Sequence, residues 1–165
     1  MLEVEMATLR SFEELRCWQA GRRLRMFVQG LLARMPKEEA FLMVSQLKRA
    51  SRSVTHNIAE GFGRENAQDN LRFCRVSRGS LMEVLDQLIT CADEGLITPE
   101  ELREGRDLFT ETRALLEGYM EYLGKAKSDN QLREESATYG AVDLQGLLEA
   151  VTSNSSTYNP QHTPG

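Results

Sequence analysis

The chain has 165 residues, 41% of them hydrophobic and 27% charged, with a formal net charge of −5. That is room for one domain with an appendage, in the composition of a globular chain rather than a disordered or membrane one. The start, MLEVEMATLRSFEEL, carries neither a basic n-region nor an apolar h-region, and no apolar run approaches the roughly 20 residues of a bilayer span, so a cytoplasmic protein is expected.

Residues 1–10 are read as an N-terminal arm. The first helix is predicted from SFEE, where Ser11 can accept from the Glu14 N–H while Glu14 reaches back. Leu15, Trp18, Leu24, Phe27, Val28, Leu31, Leu32 and Met35 then form one apolar stripe, and Pro36 ends a helix of about 25 residues. A second helix opens on KEEAF, with Glu38 and Glu39 at the positive end of its dipole and Leu47, Ala50, Val54 and Ile58 as its stripe. Gly61 and Gly63 are expected to break it by supplying positive φ. Asn66 caps a third helix, lined by Leu71, Cys74, Leu81, Val84, Leu85, Leu88 and Ala92 and stopped at Gly95. TPEE starts the fourth, with Thr98 as cap, Pro99 at the first position and Glu101 closing the box. Its seam of Leu102, Gly105, Phe109, Thr112, Leu116, Tyr119 and Leu123 alternates steps of three and four, and Gly124 is expected to end it.

Four amphipathic helices on short turns predict an all-α fold, an antiparallel up-down four-helix bundle over 11–125. Residues 126–165 read as a polar, partly disordered tail with room for a short amphipathic helix over 141–151, carrying Leu144, Leu147, Leu148 and Val151.

Charge is uneven along the chain. From Met1 to Thr90, fourteen Lys and Arg stand against eleven Asp and Glu, a net of +3; from Cys91 onward, six stand against fourteen, a net of −8. Either a positive face meets a polyanion or an acidic partner, or the two halves neutralise each other across an interface.

The polar segment between helices two and three reads THNIAEGFGREN. Its G-x-G lacks the third glycine of a dinucleotide fingerprint, where Asn66 stands; a helix rather than a strand precedes it, and no P-loop lysine follows. A di-iron bundle needs two Glu-x-x-His motifs, but the second histidine of the chain is His162, in the tail. Cys17, Cys74 and Cys91 form no C-x-x-C pair and read as reduced thiols packed as small hydrophobes. No catalytic residue, metal site or cofactor is assigned. Asn57 and Glu60 are read as braces of the corner, Glu60 receiving from Arg64, with an anion site at Arg64 secondary to that role.

The remaining candidates are cations: Arg22, Arg23 and Arg25 on helix one, Lys48, Arg49 and Arg52 on helix two, Arg64 at the corner, and Arg72, Arg75 and Arg78 on helix three. Steps of three can place Arg49 with Arg52, and Arg72 with Arg75 and Arg78, on ridges suited to phosphates. Trp18 and Phe73 are the aromatic residues near them, and Trp18, on the apolar stripe, is read as core.

SFEELRCWQAGRRL, MPKEEAF, QLKRASRSVTHNIAEGFGR and RFCRVSRGSLMEVLDQL together resemble the ribosomal RNA intervening-sequence proteins, a family of bacterial four-helix bundles. The resemblance runs from Ser11 to about Gly124 and is most specific at Asn57, Ile58, Ala59, Glu60, Gly61, Gly63 and Arg64. It departs where Thr55 and His56 replace the Pro-Ser that often precedes this motif. The resemblance implies a ring, commonly a homopentamer, without catalytic residues. More distantly, similar bundles serve diversity-generating retroelements, binding nucleic acid and a reverse transcriptase. The expected function is that of a non-enzymatic oligomeric bundle binding RNA or DNA through its arginines or, alternatively, a protein-interaction scaffold whose charge asymmetry serves self-assembly.

Overall fold

The computed structural model describes residues 9–35 and 40–154, with side chains for 9–35 and 43–128. It is all-α: α1 spans Arg16–Leu32, α2 Ala40–Phe62, α3 Ala67–Asp93 and α4 Pro99–Asn154, with no strand among the described residues. Contacts divide the chain into Met1–Ala126 and Lys127–Gly165. The buried hydrophobic residues described, from Leu15 to Leu123, all belong to the first unit.

The stripes expected from the sequence form its core. Leu24 and Val28 of α1, Leu47, Val54 and Ile58 of α2, and Leu81, Val84 and Leu88 of α3 are almost fully buried. The α4 seam joins them through Phe109, Thr112, Leu116, Tyr119 and Leu123. Cross-helix pairs fix the directions. Arg49–Glu83 and Ser53–Ser80 hold α2 antiparallel to α3, while Arg23–Glu111 and Arg34–Glu101 hold α1 antiparallel to the first half of α4.

Three helix ends follow their sequence signals closely. Asn66 accepts from the Asp69 N–H at 2.8 Å to start α3. Gly95, with φ of +72°, closes α3 in a Schellman arrangement: the Leu96 N–H donates to the Cys91 carbonyl at 2.8 Å and the Gly95 N–H to that of Ala92 at 3.0 Å. Thr98 and Glu101 exchange bonds of 3.2 and 2.9 Å at the start of α4.

Other ends differ from expectation. Ser11 does not cap α1. It accepts from the Glu13 N–H at 3.2 Å to cap a single 3-10 turn, Phe12–Glu14, and the Glu14 carboxylate reaches the Arg10 N–H rather than that of Ser11. Leu15 is extended (ψ 120°), and only then does α1 begin. The break turns Leu15 into the core and brings Phe12 edge-on to Trp18, with ring centroids 5.1 Å apart. At its far end α1 stops at Leu32, so it has 17 residues. Glu38 and Glu39, expected at the start of α2, lie outside the described residues.

Gly61 and Gly63 do not break α2 by positive φ, since among the described residues only Gly95 adopts it. Gly61 is buried inside the helix, and a Cβ there would lie 2.6 Å from Asn70 Oδ1 and 3.0 Å from Phe73 Cβ. Its role is to let α3 approach. Nor does Gly124 end α4, which continues to Asn154. One glycine costs a helix only about 1 kcal/mol, and the Lys125–Glu121 pair at i, i+4 spans the position. The segment 141–151 is therefore part of α4 rather than a separate helix, and the expected disorder of 155–165 falls outside the described residues.

Candidate nucleic-acid interface

The corner motif is held by local bonds. Arg64 pairs with Glu60 one turn back, and its guanidinium carbon lies 4.6 Å from the centroid of the Phe73 ring on α3. The Arg64 guanidinium, expected as a secondary anion site, is thus engaged by a carboxylate and a ring. Asn57 does not reach across the corner: its amide donates to the Ser53 carbonyl at 2.8 Å and hydroxyl at 3.0 Å, within α2. Ser53 in turn bonds Ser80 of α3 at 2.7 Å, so Asn57 acts on the α2–α3 contact through that hydroxyl. Gly63 follows the last residue of α2 and is exposed, and its N–H donates to the Ala59 carbonyl at 3.2 Å.

The other brace of α3 was not visible as a sequence pattern. Asn70 Nδ2 donates to the Tyr119 hydroxyl at 2.7 Å in the interior, and Cys74 Sγ lies 3.5 Å from Asn70 Oδ1. Burial pushes the Tyr119 hydroxyl up in pKa and pushes the Cys17 and Cys74 thiols up to about 12. These thiols are protonated core groups, not nucleophiles. His56 is exposed, and among the described residues no three His, Cys, Asp or Glu side chains converge.

The ten candidate cations divide by what they touch. Arg23, Arg49 and Arg64 are in ion pairs with Glu111, Glu83 and Glu60. Arg25 is half-buried and donates to the buried Thr55 hydroxyl of α2 at 2.7 Å, tying α1 to α2. Arg22, Lys48, Arg52, Arg72, Arg75 and Arg78 are exposed, and none of them is in an ion pair among the described residues. Arg22 lies three residues before Arg25, and Arg52 three before Thr55, so these two free guanidiniums flank the seam that Arg25 closes. On α3 a step of three residues turns each arginine by about 60° from the last, so Arg72, Arg75 and Arg78 follow one i, i+3 row inclined to the helix axis. Half-exposed Val76 and Met82 stand among them.

Trp18 is not fully core. It is partly exposed and lines a surface depression with Glu13, Gln19, Arg22 and Arg23. The sequence signal for this was the cation four residues after the aromatic, at helical spacing.

The sequence pattern of the 23S rRNA-intervening sequence proteins matches residues 13–118. The chain belongs to that family. A crystal structure from Bacteroides thetaiotaomicron, of a protein described as having unknown function and coming from the S23 ribosomal protein family, superposes with a TM-score of 0.59. The alignment covers 63% of this chain and 97% of that one at 18% identity, a likeness of fold. No curated protein matches. The family match begins within the 3-10 turn, spans α1 to α3 and ends within α4 at Gly118, one residue before the seam residue Tyr119, so it contains every candidate cation. No described helix of this intervening-sequence protein is long and apolar enough to cross a membrane.

Proposed function

We propose that this intervening-sequence family protein is a non-enzymatic accessory protein that binds RNA or DNA through cations on α1, α2 and α3, working as an oligomer, a ring of five in the manner of the family it resembles. The observation that carries the reading is the set of exposed cations without carboxylate partners among the described residues: Arg22, Lys48, Arg52, Arg72, Arg75 and Arg78. Phosphate binding needs little more than such a set, because its affinity comes largely from released counterions. A reverse transcriptase is the protein partner that the more distant resemblance suggests.

A protein-interaction scaffold is the second reading, favoured by Met26, Val76 and Met82, each about half exposed beside these arginines. The test is a salt titration of RNA and DNA binding by fluorescence anisotropy, on protein of known oligomeric mass. Neutralising several phosphates gives a log–log slope of about −3 or steeper. Absence of binding at low salt, with the oligomer intact, would assign the arginines to protein contacts instead.

A further inference from the structure

The depression beside the start of α1 is shallow and open to solvent, with a volume of about 510 Å³. Its wall is set by the break at Leu15. The Gln19 side-chain amide donates to the Glu13 carbonyl at 2.9 Å, which ties α1 to the 3-10 turn. One part of the Trp18 indole packs on the core and on Phe12, and the remainder is exposed to the depression. Arg22 is exposed and in no ion pair among the described residues, while Arg23 is shared with Glu111 of α4 at 2.6 Å, both side chains about half exposed. An aromatic surface, a free guanidinium and a second one held by an exchangeable pair suit a ligand that is planar at one end and anionic at the other. Glu13 is the acid of the rim, so the anionic end belongs on the arginine side.

We propose that this depression is a nucleotide subsite for a single strand, in which one base stacks on the exposed indole of Trp18 and the adjoining phosphate is taken by Arg22, with Arg23 recruited from Glu111. This rests on the nucleic-acid reading above and goes beyond it by naming the form of nucleic acid and the stacking residue. In a duplex the base faces are covered by their neighbours, so only an unstacked strand can occupy the site. Glu111 acts as a competitor for Arg23, and removing its charge strengthens binding.

Trp18 is the sole tryptophan of the chain, so intrinsic emission reports this site alone. Full-length protein is titrated with an unlabelled 12-nucleotide single strand and a 12-base-pair duplex while Trp18 emission is recorded, and anisotropy of labelled copies reports binding separately. The single strand is expected to quench the emission with the midpoint seen by anisotropy, and the duplex to bind without quenching. Arg22→Ala should weaken single-strand binding about tenfold and Glu111→Gln should tighten it several-fold. Trp18→Ala should weaken it by roughly five- to a hundredfold, the range of one base–aromatic stack. Trp18→Phe, which keeps an aromatic against Phe12, should give a smaller loss and leave duplex affinity unchanged. Single-strand binding with unaltered Trp18 emission, or Trp18→Phe weakening duplex and single strand alike, would overturn the subsite while leaving the broader reading in place. Absence of binding to either would overturn both.

Discussion

Gly61 and Gly63 stand two residues apart in one motif, yet their surroundings differ completely. A Cβ at Gly61 would meet Asn70 Oδ1 at 2.6 Å, whereas at Gly63 the nearest atom is the Glu60 carbonyl oxygen at 3.6 Å. Gly61→Ala is therefore expected to displace Asn70 from its bond with Tyr119 and to cost about 1–3 kcal/mol, and Gly63→Ala to stay within about 0.5 kcal/mol of the parent. Urea unfolding of the two variants checks this, and equal costs would refute the close-approach account. The same interior sets a pH dependence. In the unfolded chain the thiols titrate near 8.5, whereas in the fold burial holds Cys17 and Cys74 at about 12. Between those values the unfolded state binds fewer protons than the native one, so stability falls as pH rises. The urea midpoint should drop between pH 8 and pH 10.5, and a Cys17→Ala/Cys74→Ala chain, compared with itself, should show a shallower drop. Tyr119, also pushed up by burial, contributes in the same direction.

Among the elements, α4 has the most fully specified start. Thr98 and Glu101 satisfy each other's backbone N–H groups, and Arg34, in the turn after α1, reaches the same carboxylate at 2.6 Å. The Thr98 N–H first, and Arg34 second, hold the Glu101 carboxyl below its ordinary pKa. Thr98→Ala should cost about 1 kcal/mol by thermal or urea unfolding. It should leave the Arg34–Glu101 pair to orient the helix, so that Thr98→Ala combined with Arg34→Ala loses more than the single change. Gly79 and Gly118 occupy exposed positions inside α3 and α4, with open space where a Cβ would sit. Replacing either by Ala should raise stability by about 0.5–1 kcal/mol in the isolated protomer. An unchanged or lowered melting temperature would show that another surface uses the gap.

For the molecule as a whole, the division of charge along the chain is partly resolved by the fold itself. Arg23 and Arg34, from the basic portion, are paired with Glu111 and Glu101 of the acidic portion across helix contacts. Exposed pairs of this kind are worth about 0–1 kcal/mol each, so they orient helices more than they stabilise them. The charge left over is what a polyanion would meet. Arg72→Glu with Arg75→Glu should reduce nucleic-acid affinity by more than tenfold at low salt and flatten the salt slope by about two phosphates. Arg23→Glu alone should do less, because its charge is already shared. A reversal series in which paired and unpaired arginines lose affinity equally would argue against a surface defined by the free ones.

Much of this architecture is legible in the sequence, because helix stripes and caps are local. The periods that named Leu24, Val54, Leu81 and Leu116 as core, and the signals at Asn66, Gly95 and Thr98, depend on residues within a few turns of one another. Local reasoning failed where a partner was remote. Gly61 is small because Asn70 and Phe73 lie against it, Leu15 interrupts a promising helix because the core takes its side chain, and Arg25 is fixed by Thr55, thirty residues on. The candidate site divides in the same way. Its cations could be listed from the chain, but which of them are free depends on where Glu83 and Glu111 arrive, and Trp18 opens to the surface through a turn whose geometry answers to packing. Periodicity determines which face of a helix is apolar; only the packed neighbours determine which of its polar groups remain for a ligand.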